Sequence, residues 1–177
     1  TILVDLGKFD NHQALGIKNS VAAVSDIRNV LQKKELNLKG LFLTHSHPDH
    51  LNGIVHYIRA GYKLPTIYGG RYTKFILEDL YSHYQIGKTK QPTFIIINDG
   101  DRIKCGNIEI EVLSSSHTCF DAFGFIISNG TTSVYHSGDM KIDQTTYFRK
   151  PTNLKTLASR KNKINYVVGD FYGIDND

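Results

Sequence analysis

Short apolar runs alternate with helically spaced apolar positions through the first half of the chain, and closely spaced strand-like runs fill the second half. Residues 2–6 form an apolar run that stops at Gly7, and positions 21–31 carry apolar residues at helical spacing ahead of Lys33, Lys34 and Glu35. Leu41-Phe42-Leu43 reads as a buried strand that empties into Thr44-His45, after which helical spacing resumes over 51–58 and ends at Gly61. Thr66-Ile67-Tyr68 reads as a strand halted by Gly69-Gly70. Phe75, Leu77, Leu80, Tyr81 and Tyr84 then outline an amphipathic helix, and Phe94 to Ile97 is continuous and apolar. Beyond Asp99-Gly100 the pattern turns to strands: 108–113 alternates, and Asn129-Gly130 joins 124–127 to 133–135 as a hairpin. Tyr166-Val167-Val168 reads as a final buried strand. Helix-covered mixed sheets, an α/β layered architecture, are the expectation.

The chemistry concentrates at the loop between Leu43 and the following helix. Thr44-His45-Ser46-His47-Pro48-Asp49-His50 places four potential ligands, His45, His47, Asp49 and His50, within six residues. In an extended segment His45 and His47 project to one side, and the turn into the helix brings Asp49 and His50 around a second point, a spacing that serves two adjacent metals. Pro48 fixes one backbone φ and stiffens the turn. Imidazole and carboxylate suit zinc, with manganese or iron as alternatives, and the lack of cysteine ligands argues for an open, catalytic site over a closed structural one. Any one of these residues alone would read as a cap or a solvated side chain; together they read as ligands.

Further ligands are expected at other strand ends. His117 follows the 108–113 strand through Ser114-Ser115-Ser116, and Asp139 follows Tyr135 through His136-Ser137-Gly138. His45, His47 and His117 are then expected to hold one metal and Asp49, His50 and Asp139 the other, with Asp139 as the carboxylate that bridges the two. Asp49 and Asp139 are also the groups able to accept or steer a proton from an attacking water. Asp5, at the end of the first strand, is the candidate to orient a ligand from behind, or else a turn-forming aspartate. His136 reads as structural, His12, His56 and His83 as ordinary histidines, and Cys119 as a small buried side chain.

Composition changes this picture little. The chain has 177 residues, one domain's length with a substantial core, and a globular make-up of 40% hydrophobic and 21% charged residues. No apolar run approaches the roughly 18 residues of a membrane span, and no signal peptide is visible, so a cytoplasmic protein without a membrane partner is expected. Two cysteines, Cys105 and Cys119, are too few for a disulfide scaffold. A net charge of +4 favours a polyanionic partner mildly. Lys141, Arg149, Lys150, Lys155, Arg160, Lys161 and Lys163 stand against the single acid Asp143 over 141–163, a stretch that could track phosphates or form a solvated surface. Lys141, Arg149 and Lys150 are its candidate nucleic-acid contacts, and Tyr147 and Phe148 its candidate base-stacking rings.

The run from Thr44 to His50, with Asp5, His117 and Asp139 in that order, resembles the metallo-β-lactamase superfamily over nearly the whole chain. The resemblance implies a four-layered αββα sandwich and two metal ions, zinc or manganese. His117-Thr118-Cys119-Phe120-Asp121-Ala122-Phe123-Gly124-Phe125 and His136-Ser137-Gly138-Asp139-Met140-Lys141-Ile142-Asp143-Gln144-Thr145 are similar to motifs of the β-CASP nucleases of the ribonuclease J group. Leu64-Pro65-Thr66-Ile67-Tyr68-Gly69-Gly70 resembles the stretch after their first metal motif. This implies 5′-to-3′ exoribonuclease and endoribonuclease activity on RNA. That group also carries a short segment ahead of the first strand, a β-CASP insertion, a returning metal-binding histidine and a C-terminal domain. Residues 170–177 resemble the entry into the insertion, so 1–177 is expected to be the N-terminal part of the metallo-β-lactamase-like catalytic domain. Two other functions share the same ligands: a small-molecule hydrolase such as a glyoxalase-like thioesterase, and a non-enzymatic subunit assembling with an active paralogue. A homo-oligomer and a hetero-oligomer with a paralogue stay open.

Overall fold

A computed structural model describes residues 1–9, 23–147 and 150–170. The chain divides into two compact units, Thr1–Ile96 and Ile97–Asp177. No helix among the described residues is long and apolar enough to cross a membrane.

The first unit is built on a parallel sheet of β1 (Ile2–Val4), β4 (Gly40–Phe42), β5 (Ile67–Gly69) and β6 (Phe94–Ile96), in the order β1-β4-β5-β6. A small antiparallel pair, β2 (Lys8–Phe9) and β3 (Ala23–Val24), stands beside it. The connections carry α1 (Arg28–Gln32), α2 (Pro48–Leu51), α3 (Gly53–Arg59) and α4 (Arg71–His83). Leu41, Leu43, Leu51, Ile54, Val55, Ile58, Ile67 and Leu77 are buried in one apolar cluster between strands and helices. The runs that read as strand or helix in this cluster are the ones whose apolar periodicity matches that burial.

Positions 23–31 depart from the helix expected over 21–31, of which 21 and 22 lie outside the described residues. Ala23 and Val24 pair as a strand, and the helix begins only at Arg28. Side chains set the break: Tyr57 Oη accepts from the Ile27 N–H at 2.7 Å and donates to the Ser25 carbonyl at 2.6 Å, while the Asp26 carboxylate accepts from the Arg28 N–H at 3.0 Å and from its guanidinium. Tertiary and local side-chain bonds therefore outweigh helical periodicity here.

The second unit is a mixed sheet in the order β11-β10-β9-β8-β7: β7 (Arg102–Cys105), β8 (Ile108–Ser114), β9 (Phe123–Ser128), β10 (Ser133–His136) and β11 (Tyr166–Val168), with α5 (Leu154–Ser159). The β9–β10 hairpin falls where Asn129-Gly130 predicts it: the Asn129 side chain accepts from the Thr131 and Thr132 N–H groups at 3.0 and 2.8 Å. β11 is a strand, but an exposed one. Among the described residues it pairs only with β10, at the sheet edge, and Tyr166, Val167 and Val168 all face solvent. Cys105 and Cys119 are buried.

Glu111, on β8, receives Arg160 at 3.1 and 3.0 Å and Arg102 at 3.0 Å. Burial pushes this carboxyl up, but the two guanidiniums outweigh it and hold it below its ordinary 4.5. Its contribution to stability is therefore full above pH 4.5 and lost as pH falls through the lowered folded-state value. Glu111→Gln is expected to lower stability at neutral pH by about 1 kcal/mol after solvent screening, and to flatten the acid limb of a pH-stability profile from urea unfolding. Tyr81 gives the opposite case. Its hydroxyl is buried with no hydrogen-bond partner among the described residues, and burial, with Glu78 near, pushes it up. Tyr81→Phe is expected to stabilise by about 1 kcal/mol in urea unfolding, and a comparable loss instead would show a hidden partner for that hydroxyl.

Candidate metal centre

β1 and β4 run parallel with Val4 opposite Phe42, so both strands deliver their next residues to the same end of the sheet. In open α/β sheets that carboxyl end is where ligands gather. β1 delivers Asp5, whose backbone N–H donates to the Phe42 carbonyl at 2.9 Å, and β4 delivers Thr44 and His45.

Asp5 is the hub of this end. Oδ1 accepts from the Thr44 N–H at 2.8 Å, and Oδ2 accepts both the Thr44 hydroxyl at 2.8 Å and His50 Nδ1 at 2.8 Å. A carboxylate only accepts, so the Thr44 hydroxyl proton goes to Asp5, and Thr44 Oγ1 in turn accepts from His45 Nδ1 at 2.9 Å. Both rings are thereby held as Nδ1–H tautomers, with Nε2 as the lone-pair nitrogen. His45 is fully buried, as is Thr44 to within 1%. Asp5 itself has φ 57°, a left-handed conformation that aspartate tolerates better than most residues.

His45 Nε2 stands 3.1 Å from His47 Nδ1. Two facing imidazole nitrogens at that distance repel unless a proton or a cation lies with them, and two nitrogens on one tetrahedral zinc are about 3.3 Å apart. The donor set fits a metal. His50 Nε2 lies 3.5 Å from Asp49 Oδ2, with Asp49 60% exposed. The ligand turn is held from below: the Leu6 N–H donates to the His50 carbonyl at 2.8 Å, and the Gly53 N–H to the Leu6 carbonyl at 3.0 Å. Gly7 touches this turn so closely that a Cβ would stand 1.5 Å from the Asp49 carbonyl oxygen.

In the second unit, β8 and β10 both run antiparallel to β9 between them, so they point the same way and end side by side. His117 follows β8 and Asp139 follows β10, and His117 Nε2 lies 3.6 Å from Asp139 Oδ2. Backbone stitches hold the two loops. Lys141 N–H donates to the Ser116 carbonyl at 2.7 Å, Ser116 N–H to Thr152 Oγ1 at 3.0 Å, and Thr152 Oγ1 to the Lys141 carbonyl at 2.7 Å. His136 Nδ1 accepts from the Gly138 N–H at 3.1 Å and shapes the turn ahead of Asp139. In Asp139-Met140-Lys141-Ile142-Asp143-Gln144-Thr145 the later polar residues work as braces: Asp143 accepts from the Thr145 N–H and hydroxyl at 2.8 and 2.7 Å, and Gln144 donates to the Thr152 carbonyl at 3.1 Å.

Of the residues expected as ligands, His45 thus lies against His47 and His50, and His50 beside Asp49, in the first unit, while His117 lies beside Asp139 in the second. Asp5 lies behind His45 and His50, as an orienting residue does. Thr44, Gly7, Ser116 and Thr152 are not singled out by sequence; position next to a ligand or a ligand-bearing strand is the only signal for the first three, and Thr152 carries none. Among the candidate RNA contacts, Lys141 is exposed and Lys150 is exposed at 3.7 Å from Asp99, while Arg149 and Phe148 lie outside the described residues. His12 lies outside them as well.

Strand-end histidines and carboxylates on a mixed α/β chain define a metal-binding protein of the metallo-β-lactamase type. The chain belongs to the beta-lactamase superfamily, whose domain model matches residues 21–154. Among curated relatives, ribonuclease J of Mycobacterium tuberculosis (strain H37Rv) is 26% identical over 158 residues, covering 89% of this chain and 27% of that protein. Ribonuclease J 2 of Staphylococcus epidermidis (strain ATCC 12228) is 27% identical over 157 residues, covering 88% and 27%. The chain therefore spans about a quarter of the length of these relatives. A protein of unknown function from Enterococcus faecalis V583 shares the fold, with a TM-score of 0.63 at 17% identity over 98% of this chain and 44% of that one. CmlA, a diiron beta-hydroxylase from Streptomyces venezuelae, does so at 0.51 and 16% identity over 73% and 24%.

Asp5→Ala removes the group that fixes both ring tautomers. It is expected to weaken zinc or manganese binding about 10- to 100-fold in a chelator-competition titration, with the chain still folded by circular dichroism. Unchanged metal affinity would show that Asp5 does not position the ligands.

Proposed function

We propose that the chain carries a two-metal ribonuclease centre that cleaves RNA phosphodiester bonds, both 5′-to-3′ exonucleolytically and endonucleolytically, in cytoplasmic RNA processing and decay. The observation that carries this reading is the Asp5–Thr44 relay, which presents His45 Nε2 and His50 Nε2 as lone pairs beside His47 and Asp49. The ribonuclease J relatives support RNA as the substrate.

In this reading the chain belongs to a metallo-β-lactamase-like catalytic domain. His45, His47 and His117 would hold one ion and Asp49, His50 and Asp139 the other. When bound, two zinc or manganese ions supply an acidified water and neutralise charge on the phosphate. The protein's own part is positional and acid-base. Asp5 and Thr44 keep the imidazoles deprotonated on the ligand side; Asp49, the more exposed carboxylate, can take a proton from the attacking water. His136 and the Ser116–Thr152 stitches keep Asp139 at its strand end.

With zinc or manganese present, the chain is expected to degrade 5′-monophosphorylated RNA. His47→Ala should reduce the rate by more than about 100-fold, as should removal of metal by a chelator. Inertness toward RNA combined with hydrolysis of a thioester would overturn the ribonuclease reading in favour of a glyoxalase-like enzyme. Fewer than one bound ion per chain would point to a non-enzymatic subunit.

A further inference from the structure

A second basic stretch lies outside 141–163. Residues 50–98 hold six basic residues, Arg59, Lys63, Arg71, Lys74, Lys88 and Lys90, against Glu78 and Asp79, a balance of +4. Outside it, the other 15 of 21 basic residues face the other 15 of 17 acidic residues. Lys74 is partly neutralised by Glu78 at 3.6 Å, one helical turn away. Arg59, Lys63, Lys88 and Lys90 form no ion pair among the described residues.

Three of those cations line one cavity of about 330 Å³ in the first unit, with Tyr62, Leu64 and Pro92 as its apolar wall and no carboxylate on it. Two tight turns build it. On one side α3 ends in a Schellman turn: Gly61 has φ 87°, its N–H donates to the Ile58 carbonyl at 3.0 Å, and the Tyr62 N–H donates to the Tyr57 carbonyl at 3.0 Å. The Tyr57 and Tyr62 rings meet edge to face at 5.6 Å, the apolar contact that accompanies such a turn, and Lys63 follows directly. On the other side the Lys90 N–H donates to the Gly87 carbonyl at 2.9 Å, and the Gln91 side chain donates to the Ile86 carbonyl at 3.0 Å. Arg59 is held by its stacking over Tyr84 at 5.5 Å, which orders the guanidinium while leaving its edge for an anion.

We propose that this cavity is a second, non-catalytic binding site for the phosphodiester backbone of single-stranded RNA, with Arg59, Lys63 and Lys90 on phosphates and Tyr62 against a base. Like charges are gathered around a concave wall without a counter-charge, which disfavours the unliganded state and favours a polyanion. A planar guanidinium beside two ammonium groups matches successive phosphates better than a single carboxylate. The site lies at the far end of α3 from the His47 turn, with the 11 helical residues of α2 and α3, about 17 Å of helix, between them. A ligand engaging both ends is therefore an oligomer, and the cavity would favour long RNA over short substrates. The choice of RNA rests on the ribonuclease reading above.

The test uses the metal-loaded full chain and a cleavage-resistant 2′-O-methyl phosphorothioate RNA of about 12 nucleotides, within the span of single-strand sites. Lys63→Glu with Lys90→Glu is expected to weaken binding at least about 10-fold and to reduce the slope of log affinity against log salt by about 1.4, two phosphate contacts' worth. Lys63→Gln with Lys90→Gln should fall between, and cleavage of a dinucleotide should be unchanged. Affinity and slope equal to wild type would overturn the site. So would an equal loss in Lys33→Glu with Lys34→Glu, which adds the same charge elsewhere, or AMP or inorganic phosphate displacing the RNA at matching phosphate concentration. A wild-type chain that cleaves no RNA would count against the ribonuclease reading alone, because the binding measurements stand apart from cleavage.

Discussion

One carboxylate organises the first unit's functional end. Asp5 accepts three hydrogen bonds, from the Thr44 backbone, the Thr44 hydroxyl and His50, and none of these donors is itself a proposed metal-binding atom. Its effect is to decide which nitrogen of each ring carries the proton. If Nδ1 of His45 or His50 were the lone-pair nitrogen, the Asp5–Thr44 relay would lack a proton, and the nitrogen facing the site would carry one. The hydrogen bonds that fix the two tautomers thus come from behind the rings, on the side away from Nε2. The left-handed φ of Asp5 is the local cost, about 1 kcal/mol or somewhat more for a non-glycine residue, and three hydrogen bonds to a charged acceptor offset it.

The same construction recurs in the second unit with different materials. β1 and β4 reach their ends together because they are parallel neighbours; β8 and β10 do so because β9 between them reverses direction twice. Each pair delivers chemistry onto loops that strand geometry has already brought close, and each loop pair is then locked by hydrogen bonds from hydroxyls, Thr44 in one unit and Thr152 in the other. Both threonines are essentially buried, so their bonds are shielded from water and worth more than surface ones. Rigid strands fix the position to a few ångströms and buried hydroxyl bonds refine it.

Legibility in the sequence follows from how local each determinant is. The strand and turn that carry the Thr44 to His50 run are readable because the apolar strand and the Pro48 turn lie within ten residues. The Asn129-Gly130 hairpin was readable for the same reason, since the turn carries its own backbone requirement. Asp5 could be named but not distinguished from a turn residue, because its three donors lie 39 and 45 positions away. The strand at 23–24 was misread as helix because Tyr57, 30 residues on, bonds the Ile27 N–H and the Ser25 carbonyl across the break. Tyr166-Val167-Val168 has the composition of a buried strand, and periodicity reports only that such a segment can be buried; its place at a sheet edge is a fact of topology.

Charge shows the same limit most sharply. Counting lysines and arginines along 141–163 finds seven cations and one acid, yet Arg160 is spent on Glu111, 49 residues away, and Lys150 stands beside Asp99. A cation already bonded to a carboxylate must give up that partner before it can bind a phosphate, so its contribution to a polyanion site is the difference between two ion pairs. The cations of 50–98 outnumber the acids less dramatically in sequence, but Arg59, Lys63 and Lys90 have no carboxylate partner among the described residues and share one concave wall. What attracts an anion is uncompensated charge at one place, and compensation is a property of the folded contacts rather than of the linear count.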